Sequence, residues 1–214
     1  MQFLSDFADQ QLLLPLGLIW IAILMASGWW RGMAAWTAVM VGTLGCLTVL
    51  KVVFLACGRH WTGGELTSPS GHTGAAALFY GGYALLLLRP RGGLRHAVLL
   101  IPPVLAAIVG LSRIMLHAHT VVEVAVGGAI GCAGAFLLQR LAGVPPSRLP
   151  ARLMLVPTVL VPILLHGDRL HAEHVLRRFT IEGVWPPASC EVDQPAAADT
   201  PTPAPHDGAA PAHR

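Results

Sequence analysis

Lys51 is the only lysine in the chain, and it stands inside an apolar run from Thr48 to Cys57. An ionisable side chain in such a run costs roughly 2.5 to 3.5 kcal/mol to insert into a bilayer, so it is a functional candidate by default. Snorkelling of the stem along lipid is the plainer account, and the neighbouring residues weigh against it. Arg59 and His60 open a polar loop that closes on Pro69, Ser70, Gly71 and His72. Ser70 is a favoured helix N-cap, and a helix start also offers N–H groups and the positive end of a dipole to an anion such as phosphate. His72 would stand in that first turn, beside any bound anion.

A second polar stretch holds Ser112, Arg113, His117, His119 and Glu123. His119 and Glu123 are four apart, which on a helix puts them on one side. A carboxylate that holds one imidazole nitrogen fixes the tautomer and leaves the other nitrogen as a base or nucleophile. A lone membrane histidine is more often a satisfied polar group than a catalyst. A histidine with such a carboxylate, further histidines, and the cations Lys51, Arg59 and Arg113 is a place for anion chemistry. Glu65 reads as a solvated loop charge or a partner for Arg59.

These residues need elements to hold them, and the composition says which. The chain has 214 residues, 54% hydrophobic and only 12% charged, about half the charge of a typical soluble domain. Between Gln11 and Leu165 the only acidic residues are Glu65 and Glu123. The expected fold is all-α: a polytopic transmembrane bundle of about six helices over residues 1–165, then a polar tail over 166–214. Apolar segments long enough or nearly long enough to span run from Gln11 to Trp30, Met33 to Cys57, Gly71 to Leu88, Ala97 to Leu116 and Val121 to Leu138. A sixth, Leu153 to Leu165, is short and carries Pro157 and Pro162.

The first segment has Asp6 and Asp9 ahead of it and no basic residue, so it reads as a retained helix and not a secretory signal. Gly127, Gly128, Gly131 and Gly134 in the fifth segment indicate close helix packing, because small residues let backbones approach in lipid. From about residue 185 the tail is too rich in Pro, Ala and polar residues to bury a core and is expected to be disordered. Cys46, Cys57 and Cys132 lie in apolar runs and Cys190 in the tail, without metal-binding or disulfide spacing. A net charge of +3 without a basic stripe excludes nucleic acid as a partner.

Short cytoplasmic loops hold the excess of Lys and Arg. Arg89, Arg91 and Arg95 crowd one connection and Arg140, Arg148 and Arg152 another, which places both inside. The Gly58–Ser70 loop, the loop around His117 to Thr120 and the acidic N-terminus then share the outer face.

The chemistry-bearing residues resemble the three-part signature of the type 2 phosphatidic acid phosphatase superfamily, the membrane relatives of vanadium haloperoxidases. That signature is Lys-x6-Arg-Pro, Pro-Ser-Gly-His and Ser-Arg-x5-His-x3-Asp. Here the second part is Pro69-Ser70-Gly71-His72, and the third is Ser112-Arg113-x5-His119-x3-Glu123. The first reads Lys51-x7-Arg59-His60, one residue longer and without the Pro, which leaves open whether Arg59 or another donor fills the family's arginine role. Glu123 stands where the family has Asp, with the same charge and one more methylene of reach.

The resemblance implies that His119 attacks phosphorus, that Glu123 orients it, and that His72 protonates the leaving oxygen and later activates water. Lys51, Arg59, Ser70, Gly71 and Arg113 would hold the phosphate oxygens. It implies no metal and no cofactor. The expected function is a membrane phosphatase acting on a lipid phosphomonoester or prenyl diphosphate through a phosphohistidine, in the bacterial inner membrane with its site on the periplasmic side. Transfer of the group to another lipid is a close variant. Two rivals are a non-catalytic scaffold or transporter derived from the family, and a metal or haem protein ligated by His60, His72, His117 and His119. The cations would repel a metal ion.

Overall fold

The computed structural model describes residues 6–62, 68–88, 95–146 and 151–165; the side chains of 56–62, 95, 151, 152 and 165 lie outside the described part. Glu65, Arg89, Arg91, Arg148 and the tail from residue 166 also lie outside it. The described residues are all helical or connecting: α1 (Gln10–Ala26), α2 (Trp30–Thr62), α3 (Gly71–Ala76), a wider π-helical turn (Ala77–Gly81), α4 (Gly82–Leu88), α5 (Arg95–Leu99), α6 (Ile101–Met115), α7 (Val121–Ala142) and α8 (Ala151–Leu165). The pairs α3–α4 and α5–α6 each form one rod, so the described residues make the expected six-helix bundle.

Among the described residues three helices are long and apolar enough to cross a membrane, Trp30–Leu55, His96–Met115 and Val121–Ala142, whereas Gln10–Ala26 and Leu153–Leu164 are shorter. Large apolar side chains such as Leu18, Val41, Val49, Leu111, Val121 and Ile163 are exposed along the rods, a surface suited to lipid and not to water. This is a membrane protein. Helix α2 has 33 residues, about 50 Å at 1.5 Å per residue, against a hydrocarbon core of about 30 Å. Lys51 lies roughly 30 Å along it from Trp30, at the far boundary of the apolar slab. The helix continues to Thr62, so Arg59 and His60 sit in its last turns and do not open the loop, as their polarity suggests.

Helix α7 is central and touches α2, α3, the π turn, α4 and α6. Its small-residue face explains why. A Cβ on Gly127 would strike the backbone of Ser70, and one on Gly131 the backbone of Gly74. Close approach of α3 to α7 therefore needs glycine at both positions. On the other side of α3, Trp20 and Trp36 meet edge to face with ring centroids 4.8 Å apart, and Trp20 stacks on Tyr83 at 4.8 Å. This aromatic cluster ties α1 and α2 to the α3–α4 rod. Helix α8 packs on α1.

The π turn interrupts the rod that the sequence reads as one continuous helix from Gly71 to Leu88. It seats Gly81 against Pro102, where a Cβ has no room. It also carries Tyr80, whose hydroxyl donates to the Phe7 carbonyl at 2.8 Å. The chain ahead of α1 is thus fastened to the rod that begins with His72.

Candidate active site

The third motif straddles the reversal from α6 to α7. The turn closes with the His117 amide donating to the Ile114 carbonyl at 2.9 Å and the Ala118 amide to the Arg113 carbonyl at 3.0 Å. That is the Schellman pattern, which calls for a left-handed residue at its C′ position. His117 fills it with φ 52°, alone among the described non-glycine residues, and its side chain is exposed. Its role is to turn the chain. Ser112 is equally structural, being buried and donating back to the Val109 carbonyl at 2.6 Å.

His119 follows the turn, and Thr120 caps α7. The Glu123 amide donates to the Thr120 hydroxyl at 3.3 Å, and the Glu123 carboxylate takes the Thr120 amide at 3.1 Å, a reciprocal capping box. The same carboxylate oxygen, Oε2, lies 2.8 Å from His119 Nδ1. His119 is not on the helix, so the contact is made by the carboxylate folding back over the N-terminus and not by two side chains on one helical face. Oε1 accepts the Ser68 amide at 2.8 Å, and the Glu123 carbonyl accepts the Ser70 amide at 3.0 Å. One residue, 3% exposed, therefore joins the two motif loops. Aspartate, one methylene shorter, would have to span the same three donors.

A carboxylate accepts hydrogen bonds, so the proton between the pair sits on His119 Nδ1 and Nε2 keeps its lone pair. Burial lowers the proton affinity of His119 most; its hydrogen bond to Glu123 and the charge of Glu123 raise it, and the charges of Arg113 and Lys51 lower it, with a net shift below the ordinary imidazole value. Lys51, Arg113 and Glu123 thus all bear on the charge of one imidazole. The shift favours the neutral ring.

The second motif sits across from it. Ser70 is fully buried and occupies the N-cap position of α3 without a capping hydrogen bond to the backbone. Its hydroxyl is 2.9 Å from that of Thr73, which corrects the simple N-cap expectation and turns the group inward. Gly71 heads α3, where backbone N–H groups have no acceptor within the helix. His72 follows, partly exposed, with Nε2 3.9 Å from the Asp9 carboxylate. Sequence reasoning missed Asp9, which it took only as an acidic residue ahead of the first span. Its signal was its place on the same predicted face as His72.

Arg59 is outside the described side chains. On an unbroken helix an eight-residue step leaves it about 80° round the axis from Lys51, where a seven-residue step would leave about 20°. The extra residue in the first motif is therefore a rotation, not a looped insertion. Among the described residues no three His, Cys, Asp or Glu side chains come together as a metal-binding group.

The PAP2 superfamily matches this chain over residues 56–143, the stretch that holds the second and third motifs in the geometry just described. Residues 56–143 are similar to the PAP2 superfamily. The chain is also similar to an uncharacterized 22.5 kDa protein in the cps region of Klebsiella pneumoniae, with 34% identity over 138 residues, 64% of this chain and 66% of that protein. The match falls just short of two thirds of that relative's length. No solved structure matches the chain. Lys51, the first residue of the three-part signature, and Asp9 both lie ahead of the matched residues.

Proposed function

We propose that this protein is an integral membrane phosphatase that hydrolyses a lipid phosphomonoester or a prenyl diphosphate through a phosphohistidine intermediate. The observation that carries the reading is the 2.8 Å contact between His119 Nδ1 and Glu123 Oε2, which leaves Nε2 bare under the influence of Lys51 and Arg113. Nε2 forms a bond to phosphorus while the bond from phosphorus to the leaving oxygen breaks. That oxygen takes a proton from His72, and the neutral imidazole then takes one from the water that attacks phosphorus as the phosphorus–Nε2 bond breaks, releasing phosphate and free His119. Glu123 stabilises the imidazolium character that develops on His119. Lys51, Arg59, Arg113 and the Gly71 amide hold the equatorial oxygens, where charge must be met in the transition state, while the buried Ser70 hydroxyl is engaged with Thr73.

An amphipathic substrate suits this placement, because its chain can stay in lipid while its phosphate reaches the helix ends. Cations at the other end of the bundle support an outward-facing site. Arg140 lies in the last turn of α7, and Arg31 at the start of α2 donates to the Leu141 carbonyl at 2.8 Å. By the positive-inside rule that end is cytoplasmic, and in a bacterial inner membrane the site faces the periplasm. The test is phosphate release across lipid phosphates and prenyl diphosphates, with His119→Ala as the blank. Release by the wild type alone supports the reading, and no release from any of them by folded protein favours a scaffold.

A further inference from the structure

The N-terminal segment reaches the site from ahead of the matched residues, and two contacts fix it there. Tyr80 on the π turn holds the Phe7 carbonyl at 2.8 Å. Ala8 is 1% exposed and packs with Ala76, Val109 and Tyr80. Asp9 then caps α1, its Oδ1 accepting the Gln11 amide at 2.9 Å. Its other oxygen, Oδ2, is 3.9 Å from His72 Nε2, with the Asp9 side chain 16% exposed and that of His72 28% exposed. A cap needs only one oxygen. The second is aimed at the imidazole by a segment anchored on the same rod.

We propose that Asp9 is a positioning residue for His72, keeping it protonated and oriented as the acid of the reaction. The inference rests on the proposed function for the acid role. An adjacent carboxylate favours the imidazolium, so His72 would enter the cycle carrying the proton that the leaving oxygen takes. As that proton passes to the leaving oxygen the phosphorus–oxygen bond breaks, and His72 is left neutral, ready to accept the proton of the attacking water. The helices packed against α3 bring other charged or titratable groups to this end: Lys51 from α2, Arg113 from α6, Glu123 from α7 beside His119, Tyr80 from the π turn and Asp6 ahead of α1. All are common to wild type and variants, so a change at Asp9 isolates its own effect.

Asn and Ser cap a helix about as well as Asp. Asp9→Asn and Asp9→Ser therefore remove the charge and keep the fold, and Asp9→Glu keeps the charge. Two readouts are needed in the full chain in detergent: the titration midpoint of His72 by NMR of labelled histidine, assigned with His72→Ala, and the pH profile of phosphate release. The midpoint and the alkaline limb should both move to lower pH, by roughly half a unit to one unit for a partly exposed pair, in Asp9→Asn and Asp9→Ser. Release well below the limb should persist, and Asp9→Glu should hold both near their wild-type positions. An active wild type whose midpoint and limb ignore all three substitutions overturns the pair alone, as does a loss that is equal at every pH. Absence of release from the wild type overturns the functional reading, and the acid role with it, whatever the midpoint does.

Discussion

The Glu123 carboxylate accepts the amide hydrogen of Ser68 at 2.8 Å across 55 positions of sequence. The bond is buried, and the same carboxylate orients His119. Position of His119 and closure of the two motif loops are thus one structural event. A change at Glu123 is felt by both.

Glu123→Gln keeps the length and removes the charge. An amide has one acceptor oxygen, so its NH₂ group must face the Ser68 amide or the donors of His119 and Thr120. The expected loss in kcat is on the order of 10³- to 10⁴-fold, as for the neutral isostere in a triad. Glu123→Asp should lose less, since the charge remains, and equal losses measured in steady-state assays would contradict the pairing.

Lys51 and Arg113 both disfavour a proton on His119. Because that proton affinity is already below the ordinary imidazole value, wild-type activity should persist below pH 6.5 before the acid limb is reached. Lys51→Met or Arg113→Met removes a repulsive charge and raises the proton affinity, so the acid limb moves to higher pH. Each should also cost roughly 10²- to 10³-fold in kcat for a lost transition-state donor. A pH–rate profile reads both effects.

The pairing of His119 with Glu123, the Pro-Ser-Gly-His motif and the glycine face of α7 are legible in the sequence because residue type and spacing carry them. The Ser68 amide is not, since a backbone group leaves no mark in side-chain pattern. Asp9 is not, because its approach to His72 depends on the N-terminal segment docking on Tyr80, a tertiary contact between residues 73 positions apart. Nor is the inward turn of the Ser70 hydroxyl, which is decided by Thr73 packing beside it. His117 reads as one more imidazole of the cluster until its backbone angle shows it turning the chain.

His117→Gly should keep phosphate release. A left-handed residue with a Cβ costs roughly 1 to 2 kcal/mol, partly offset by the greater freedom of glycine in the unfolded chain. Thermal unfolding in detergent should therefore show an unchanged or slightly more stable protein. Loss of activity would give His117 a part that its exposed position does not explain.

Gly127→Ala and Gly131→Ala place a methyl group against the Ser70 and Gly74 backbones. Overpacking of this kind costs about 1 to 3 kcal/mol, read as a lower midpoint of unfolding. Gly127→Ala should in addition reduce activity, because it displaces the loop that Glu123 holds.

The central claim is that phosphate passes through His119 Nε2. Rapid mixing with substrate labelled in the transferred phosphate, an alkaline quench that preserves phosphohistidine, and peptide mass spectrometry test it directly. The account requires label on His119 at early times, strengthened in His72→Ala if breakdown slows more than formation, and none in His119→Ala. Phosphate release that continues in His119→Ala, or label found on another residue, would contradict it.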